Sequence, residues 1–178
     1  MADYVIADLH LFDKGIITYE DRPFKTIEEY NSKLIKEWNK IVSREDTVYI
    51  LGDVGPVGEV NEENLANVIG QLNGRKILVL GNHDREYLYT DDDWRGLGFS
   101  KVYELPVVYS GFIILSHEPM YVSKQSPFKN IYGHVHGNPN YKDVSSAGAC
   151  VCVERIGYKP ISIDEIMRLI RKEEENWF

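Results

Sequence analysis

All five histidines of this chain lie in a series of short polar motifs that ends at residue 136. The motifs are Asp8-Leu9-His10, Gly52-Asp53, Gly81-Asn82-His83-Asp84, Ser116-His117 and Gly133-His134-Val135-His136. Histidines joined by two aspartates and an asparagine make a complete ligand set for two divalent metals. Nitrogen and carboxylate ligands together suit Mn, Fe, Zn, Ni or Co better than Mg or Ca.

The motifs differ in how strongly each one indicates a metal site. Asp-x-His is a weak signal, and Gly-Asp at a strand end is common in ordinary turns. Asn82 followed by His83 is stronger, because no turn requires that pair. His134 and His136 could serve neighbouring metals from one short segment. A packed or surface position is the alternative for any single histidine, but the joint pattern favours a metal centre.

Each motif directly follows a short apolar run. The runs occupy residues 4–7, 47–51, 76–80, 112–115 and 130–132. Nearly continuous aliphatic and β-branched runs of this length are typical of strands that are covered on both faces of a sheet. Ligands in α/β proteins bind at the carboxyl ends of such strands. We therefore predict an α/β fold with the polar motifs gathered at one edge of the sheet.

Amphipathic helices are predicted between the strands. Residues 26–43 carry apolar side chains at helical spacing, with Thr26 as the cap, and residues 61–72 form a second such segment. Ser162 and Glu165 have capping-box spacing and predict a last helix that contains Ile166, Leu169 and Ile170. Residues 144–154 are expected to form the closing strands.

Composition narrows the class of protein. The 178 residues predict one domain, 1–178, and the net charge of −8 argues against a general nucleic-acid binder. The N-terminus has no signal-peptide pattern, and no stretch is long enough for a membrane span, so a cytoplasmic protein is expected. Cys150 and Cys152 are interpreted as small packed side chains in a reducing compartment, with a metal or redox pair as the alternative.

With these motifs in this order, the chain resembles the calcineurin-like metallophosphoesterase superfamily, in particular its small single-domain bacterial type. The resemblance covers all five family motifs and spans positions 8–136. It implies a two-sheet α/β sandwich with a dimetal site on the loops at the strand ends. It also implies two divalent transition metals, with manganese favoured, and a small phosphorylated substrate, with a nucleotide as one candidate.

The resemblance implies a role for each motif residue. One metal would be held by Asp8, His10, Asp53 and His136. The other would be held by Asp53, Asn82, His117 and His134, so that Asp53 bridges the two. A hydroxide shared by the metals would attack phosphorus, and His83, which is not a ligand, would assist the leaving group. The implied activity is hydrolysis of a phosphodiester or a small phosphomonoester.

One departure from the family pattern affects the substrate. Phosphoprotein phosphatases of the family carry a second aspartate and an arginine shortly after Gly-Asp, and residues 52–58 contain neither. This argues against a protein phosphatase and leaves Asp84 or a backbone carbonyl to orient His83. Arg85 is the nearest cation in the sequence that could touch phosphate, and an ordinary exposed arginine is the alternative.

Loops must determine specificity, because a chain this short has no room for a large cap domain. Residues 11–25, 86–99, 119–129 and 137–142 are the predicted loops, and they are rich in aromatic residues such as Trp94. These aromatics could stack a nucleobase, but packing of the loops or an oligomer interface is favoured. A metal-dependent nuclease and a non-catalytic protein-binding scaffold of the same fold are the alternatives to a phosphoesterase.

Overall fold

The computed structural model describes residues 1–58, 61–87, 89–141 and 144–175. Its strands are β1 (Asp3–Ile6), β2 (Thr47–Ile50), β3 (Arg75–Val79), β4 (Lys101–Tyr103), β5 (Val107–Tyr109), β6 (Ile113–Ser116), β7 (Lys129–Tyr132), β8 (Val144–Ser145), β9 (Gly148–Cys150) and β10 (Ile161–Ser162). Its helices are α1 (Lys14–Tyr19), α2 (Ile27–Ile41), α3 (Glu62–Gln71), α4 (Asn82–Glu86), α5 (Asp91–Gly96) and α6 (Ile163–Glu175). Parts of the predictions lie outside the described residues: Leu88 in loop 86–99, Lys142 at the end of loop 137–142, and residues 59–60, 143 and 176–178 of the predicted domain.

The strands form two five-stranded sheets. The first has the order β10-β1-β2-β3-β4, in which β1 to β4 are parallel and β10 is antiparallel to β1. The second has the order β5-β6-β7-β9-β8, in which β6, β7 and β9 are parallel and both edge strands are antiparallel. The predicted two-sheet α/β sandwich is therefore confirmed.

A continuous apolar layer joins the two sheets. Val5, Leu51 and Val79 of the first sheet belong to one buried cluster with Leu115 and Ile131 of the second. Each such aliphatic side chain contributes about 1.5–3 kcal/mol when it is fully buried. At one end the sheets are also joined directly, because the Ala7 amide donates to the Val151 carbonyl at 3.0 Å. This link brings the end of β1 beside the segment that follows β9.

Helices α2 and α3 cover the other face of the first sheet. Leu34 and Trp38 of α2 pack in the same buried cluster as Leu65 and Ile69 of α3. The predicted cap of α2 is confirmed, and α3 has a cap of the same kind. Thr26 Oγ1 accepts from the Glu29 amide at 3.2 Å, and the Asn61 side chain accepts from the Asn64 amide at 2.9 Å.

The last helix, α6, begins as predicted. Ser162 Oγ accepts the Glu165 amide at 3.2 Å. Ile166 and Ile170 enter the apolar layer between the sheets, whereas Leu169 is 37% exposed. No helix in the described ranges combines the length and the apolar character that a membrane span requires.

Several short elements were not predicted. Strands β4 and β5 have three residues each, which is too short for an apolar period to be recognised. Helices α1 and α5 lie inside segments that were expected to be loops. The predicted closing strands within 144–154 are present only as β8 and β9.

Candidate metal centre and active site

Every predicted metal ligand lies just beyond the carboxyl end of a parallel strand. Asp8 and His10 follow β1, Asp53 follows β2, Asn82 follows β3, His117 follows β6, and His134 and His136 follow β7. Strands β1, β2 and β3 belong to one sheet, and β6 and β7 belong to the other. The site therefore lies where the carboxyl ends of strands from both sheets meet, as the sequence predicted.

Five of the seven predicted ligands have a left-handed backbone. Their φ angles are 60° for Asp8, 48° for His10, 54° for Asp53, 70° for His134 and 44° for His136. A non-glycine residue in this region costs about 1–3 kcal/mol and persists only where its surroundings enforce it. Such concentrated strain is typical of a functional site.

The first donor cluster contains Asp8, His10 and His136, whose ligand atoms all lie within 4.8 Å of one another. His136 Nε2 is 3.6 Å from Asp8 Oδ1. Both ring nitrogens of His10 are buried and have no hydrogen-bond partner among the described residues. A buried imidazole without a partner is costly, and a cation bound to it would remove that cost.

The second donor cluster contains Asp53, His117 and His134, and Asn82 lies among them. Asn82 Oδ1 is 2.9 Å from His117 Nε2 and 3.0 Å from His134 Nδ1. The two ring nitrogens are 3.1 Å apart. These atoms are close enough to bind one ion together.

The tautomer of His117 identifies which of its ring nitrogens has a lone pair for a metal ion. Nδ1 lies 2.9 Å from the carbonyl oxygen of Leu51, which can only accept, so Nδ1 must carry the proton. In the neutral ring Nε2 then has its lone pair directed at Asn82 Oδ1 and Asp53 Oδ2, which are also acceptors. Three acceptors that converge in this way are stabilised by a cation between them, and the carbonyl contact is typical of metal-bound histidine.

Asp53 lies between the two clusters. Its Oδ2 is 3.4 Å from His117 Nε2 in the second cluster and 3.7 Å from His10 Nε2 beside the first. Its Oδ1 accepts the His83 amide at 3.1 Å. A Cβ on Gly81 would collide with Asp53 Oδ1, so only glycine permits this approach. The position suits a carboxylate that bridges two ions.

The donor set fits a pair of divalent transition metals. Each cluster combines imidazole nitrogen with carboxylate oxygen, and the second adds an amide oxygen. These ligands suit borderline metals rather than Mg or Ca. Gly133 makes the first cluster compact, because a Cβ there would meet Asp8 Oδ2.

Comparison with known proteins agrees with this geometry. Residues 4–154 match the calcineurin-like phosphoesterase family. The chain belongs to this family. Family membership supports a metal-dependent phosphoesterase, and the matched residues include every predicted ligand.

Individual relatives do not reveal the substrate of this calcineurin-like phosphoesterase. An uncharacterized protein of Methanocaldococcus jannaschii is 33% identical over 174 residues, which are 95% of this chain and 91% of that protein. The gene 66 protein of Mycobacterium phage L5 is 35% identical over 78 residues, which are 44% of this chain and 37% of the phage protein. A protein of unknown function from Aquifex aeolicus has a TM-score of 0.69 at 28% identity, and the likeness covers 94% of this chain and 98% of that one.

His83 lies beside the two clusters but belongs to neither. It is the second residue of α4, lines the cavity in front of the metal centre and is 28% exposed in its side chain. Its Nδ1 is 3.2 Å from Glu86 Oε1, one turn further along the helix. Nε2 is therefore the ring nitrogen available to a substrate oxygen. The His-x-x-Glu spacing was the signal in the sequence that could have indicated this partner.

The expected role of Asp84 in orienting His83 needs correction. Asp84 is buried, and its two carboxylate oxygens accept the backbone amides of Asp53, Val54 and Gly81 at 2.8–2.9 Å. Burial and the nearby negative charge of Asp53 raise the pKa of this carboxyl. Asp84 therefore holds the loop that carries Asp53, while Glu86 contacts His83.

Arg85 does not face the metal centre. Its guanidinium donates to the Glu104 carbonyl at 2.7 Å and lies 4.0 Å from Glu118 Oε1. It lines a separate small cavity with Trp94 rather than the cavity that contains His83. The structure therefore does not support Arg85 as a phosphate contact, and the exposed-arginine alternative describes it better.

Two residues that support the first cluster were not recognised in the sequence. Glu154 Oε1 lies 3.3 Å from His136 Nδ1 and accepts from Arg22 Nε at 2.8 Å. Arg22 also donates to the carbonyls of Asp8 and Leu9, at 2.8 Å and 3.1 Å. Arg22 thus links the loop after β1 to Glu154 in the segment after β9, and Glu154 in turn contacts His136 in the loop after β7. Nothing in the sequence marks this pair, because its members are far apart in the chain and outside every motif.

These contacts shift the pKa values of His136 and Glu154. Burial lowers the pKa of His136, but the hydrogen bond with Glu154 and the charge of Asp8 outweigh it and raise that pKa to about 9. Burial raises the pKa of Glu154, yet its contacts with His136 and Arg22 lower it overall. Glu154 therefore remains an anion that accepts from His136 Nδ1 and leaves Nε2 directed at Asp8.

A cavity of about 670 Å³ opens in front of the centre. His10, Asp53, His83, His134 and His136 are on its inner wall, whereas Tyr19 and Tyr141 lie further out and are 83% and 42% exposed. Trp94 is buried at 1% exposure and packs against Phe99, so it cannot stack a nucleobase. The packing explanation is correct for Trp94, and Tyr19 and Tyr141 are the loop aromatics that line the cavity.

Proposed function

We propose that this chain is a dimetal phosphoesterase that hydrolyses a phosphodiester or a small phosphomonoester. The observation that carries the proposal is the position of Asp53, whose carboxylate approaches histidines of both donor clusters at the base of an open cavity. Membership of the calcineurin-like phosphoesterase family supports the reaction class.

The proposed ligands follow from the two clusters. One ion would be bound by Asp8, His10, Asp53 and His136, and the other by Asp53, Asn82, His117 and His134. Manganese is the favoured metal, among others of the same borderline class. When bound, the pair would activate water and neutralise charge on the phosphoryl group.

His83 is proposed to donate a proton to the leaving oxygen. The contact with Glu86 makes Nδ1 the donor to that carboxylate and leaves Nε2 for the substrate. The His83 amide is itself bonded to Asp53 Oδ1, which fixes the backbone of His83 relative to the bridging carboxylate. Positioning of this kind makes a general acid effective without direct metal contact.

Two structural features bear on the non-catalytic scaffold alternative and on the cellular compartment of the protein. All seven proposed ligands and His83 occupy the same site, which argues against a scaffold that has lost its chemistry. Cys150 and Cys152 are free and buried, as the reducing-compartment interpretation requires, and we propose a cytoplasmic location on that basis.

A substrate panel would test the proposed function. The purified protein is stripped of metal, reloaded separately with Mn, Zn, Fe, Co, Ni or Mg, and assayed on phosphomonoesters, phosphodiesters, cyclic nucleotides and short oligonucleotides. We expect hydrolysis that depends on a transition metal and is lost in His117→Ala. Glu45→Gln, an exposed change at the opposite end of β2, is the control and should retain full activity. Absence of hydrolysis by protein that contains two ions would contradict the proposal.

A further inference from the structure

The cavity in front of the metal centre has an unusual charge distribution for a site that binds phosphate. Beyond the candidate ligands, its charged lining residues are the carboxylates of Asp13 and Glu20. Among the described residues that line it, none is lysine or arginine. Sites that bind several phosphates are normally lined by such cations.

The nearby arginines are engaged elsewhere. Arg22 is buried against Glu154 and backbone carbonyls, and Arg85 faces Glu104 and Glu118 outside the cavity. Arg155 donates to the carbonyls of Asn138, Tyr141 and His136, behind the loop that lines the cavity. Apart from the proton that His83 is proposed to donate, positive charge on the described lining of this cavity would therefore come from the bound metals.

The metals can balance only a limited negative charge. Asp8 and Asp53 already cancel half of the charge of two divalent cations. The remaining two positive charges would be offset by the shared hydroxide and one singly charged phosphodiester, and a second anionic group on the substrate would face Asp13 and Glu20, with no lysine or arginine among the described lining residues to compensate it. Like charges placed together in this way oppose binding strongly.

We propose, on the basis of the function proposed above, that the substrate is a phosphodiester with a single negative charge and uncharged or cationic organic groups. Glu20 is the residue that rejects further anionic groups. Its Oε2 accepts the Gly137 amide at 3.2 Å, which fixes the carboxylate at the cavity wall. Tyr19 and Tyr141, which also line the cavity, provide apolar surface for the organic part.

Two matched substrates test this inference. Both are phosphodiesters with the same leaving group: thymidine 5′-(p-nitrophenyl phosphate) and the same compound with an added 3′-phosphate. We expect kcat/KM to be at least about tenfold lower for the doubly phosphorylated compound, and added salt should narrow the difference. Glu20→Gln, which can still accept from Gly137, should raise kcat/KM for that compound several-fold relative to the other substrate, and metal analysis of the variant should still find two ions. Glu45→Gln should alter neither value.

The possible outcomes distinguish a failure of the charge selection from a failure of the proposed function. Equal kcat/KM for both substrates, or an unchanged ratio in Glu20→Gln, would overturn the charge selection and leave the proposed function intact. No hydrolysis of either substrate by the metal-loaded protein would overturn the proposed function, and the inference with it.

Discussion

Glu154 accepts a hydrogen bond from His136 through Nδ1, at 3.3 Å, and so directs the opposite ring nitrogen toward Asp8. Carboxylates in this position fix the orientation of a metal-binding imidazole and increase its basicity. Arg22 holds the same Glu154 oxygen and two backbone carbonyls after β1. The first donor cluster is thus supported by two residues outside it, Glu154 and Arg22.

Glu154→Gln should lower the affinity of the protein for one of the two metal ions and leave the affinity for the other unchanged. The neutral amide keeps the size of the side chain but removes the negative charge beside His136 and leaves Arg22 without its ion pair. We expect affinity for the ion at Asp8, His10 and His136 to fall by about 10–100-fold, with the other ion retained. Titration calorimetry with Mn would resolve the two sites, and Glu45→Gln is the matched control. Equal weakening of both ions would contradict this role.

Gly81→Ala should disturb both ions together. The added Cβ would collide with Asp53 Oδ1 and move the carboxylate that approaches both clusters. Gly70→Ala is the control, because a Cβ there meets nothing within 4 Å and alanine favours the helix. Metal content after dialysis should fall toward zero in Gly81→Ala and remain at two ions in Gly70→Ala. Full metal content in Gly81→Ala would show that metal binding does not depend on the position of the Asp53 carboxylate.

His83→Asn should impair the chemical step without loss of metal. We expect kcat to fall by about 10²–10⁴ on a substrate with an alkoxide leaving group, because that oxygen needs a proton as it departs. The loss should be much smaller for a p-nitrophenolate leaving group, which departs without help. Rates on both substrates, together with metal analysis, would test this. An equal loss on both substrates, or a variant without metal, would indicate a structural or ligand role instead.

Bound metal should stabilise the fold. The left-handed ligands and the unpartnered ring of His10 are unfavourable without a cation. At a hundredfold excess of Mn over its Kd, a single site adds about 2.7 kcal/mol to the free energy of unfolding. Thermal unfolding with Mn and with a chelator would measure this as a rise in Tm of roughly 5–10 °C. His117→Ala should show a smaller rise, and an identical Tm with and without Mn would contradict the expectation.

The sequence was sufficient to place the candidate ligands together, because each of them follows a buried strand. The apolar pattern of a strand and the polar motif that follows it can both be recognised locally in the sequence. Parallel strands then bring their carboxyl ends to the same edge of a sheet. Asp8, Asp53 and Asn82 could therefore be placed together before any contact was known.

Tertiary contacts explain what the sequence did not reveal. Arg22 and Glu154 are 132 residues apart and meet only because β1 and the segment after β9 are neighbours. Trp94 was a candidate for the cavity rim, but α5 buries it against the helical layer. Asp84 was misassigned because a carboxylate beside a catalytic histidine in sequence can point to the other side of its helix.

Anomalous diffraction from crystals grown with Mn would test the central claim most directly. The account predicts two peaks roughly 3.5–4 Å apart, with Asp53 bound to both ions. One peak should be completed by Asp8, His10 and His136, and the other by Asn82, His117 and His134. A single peak, or two peaks without Asp53 between them, would contradict a dimetal phosphoesterase.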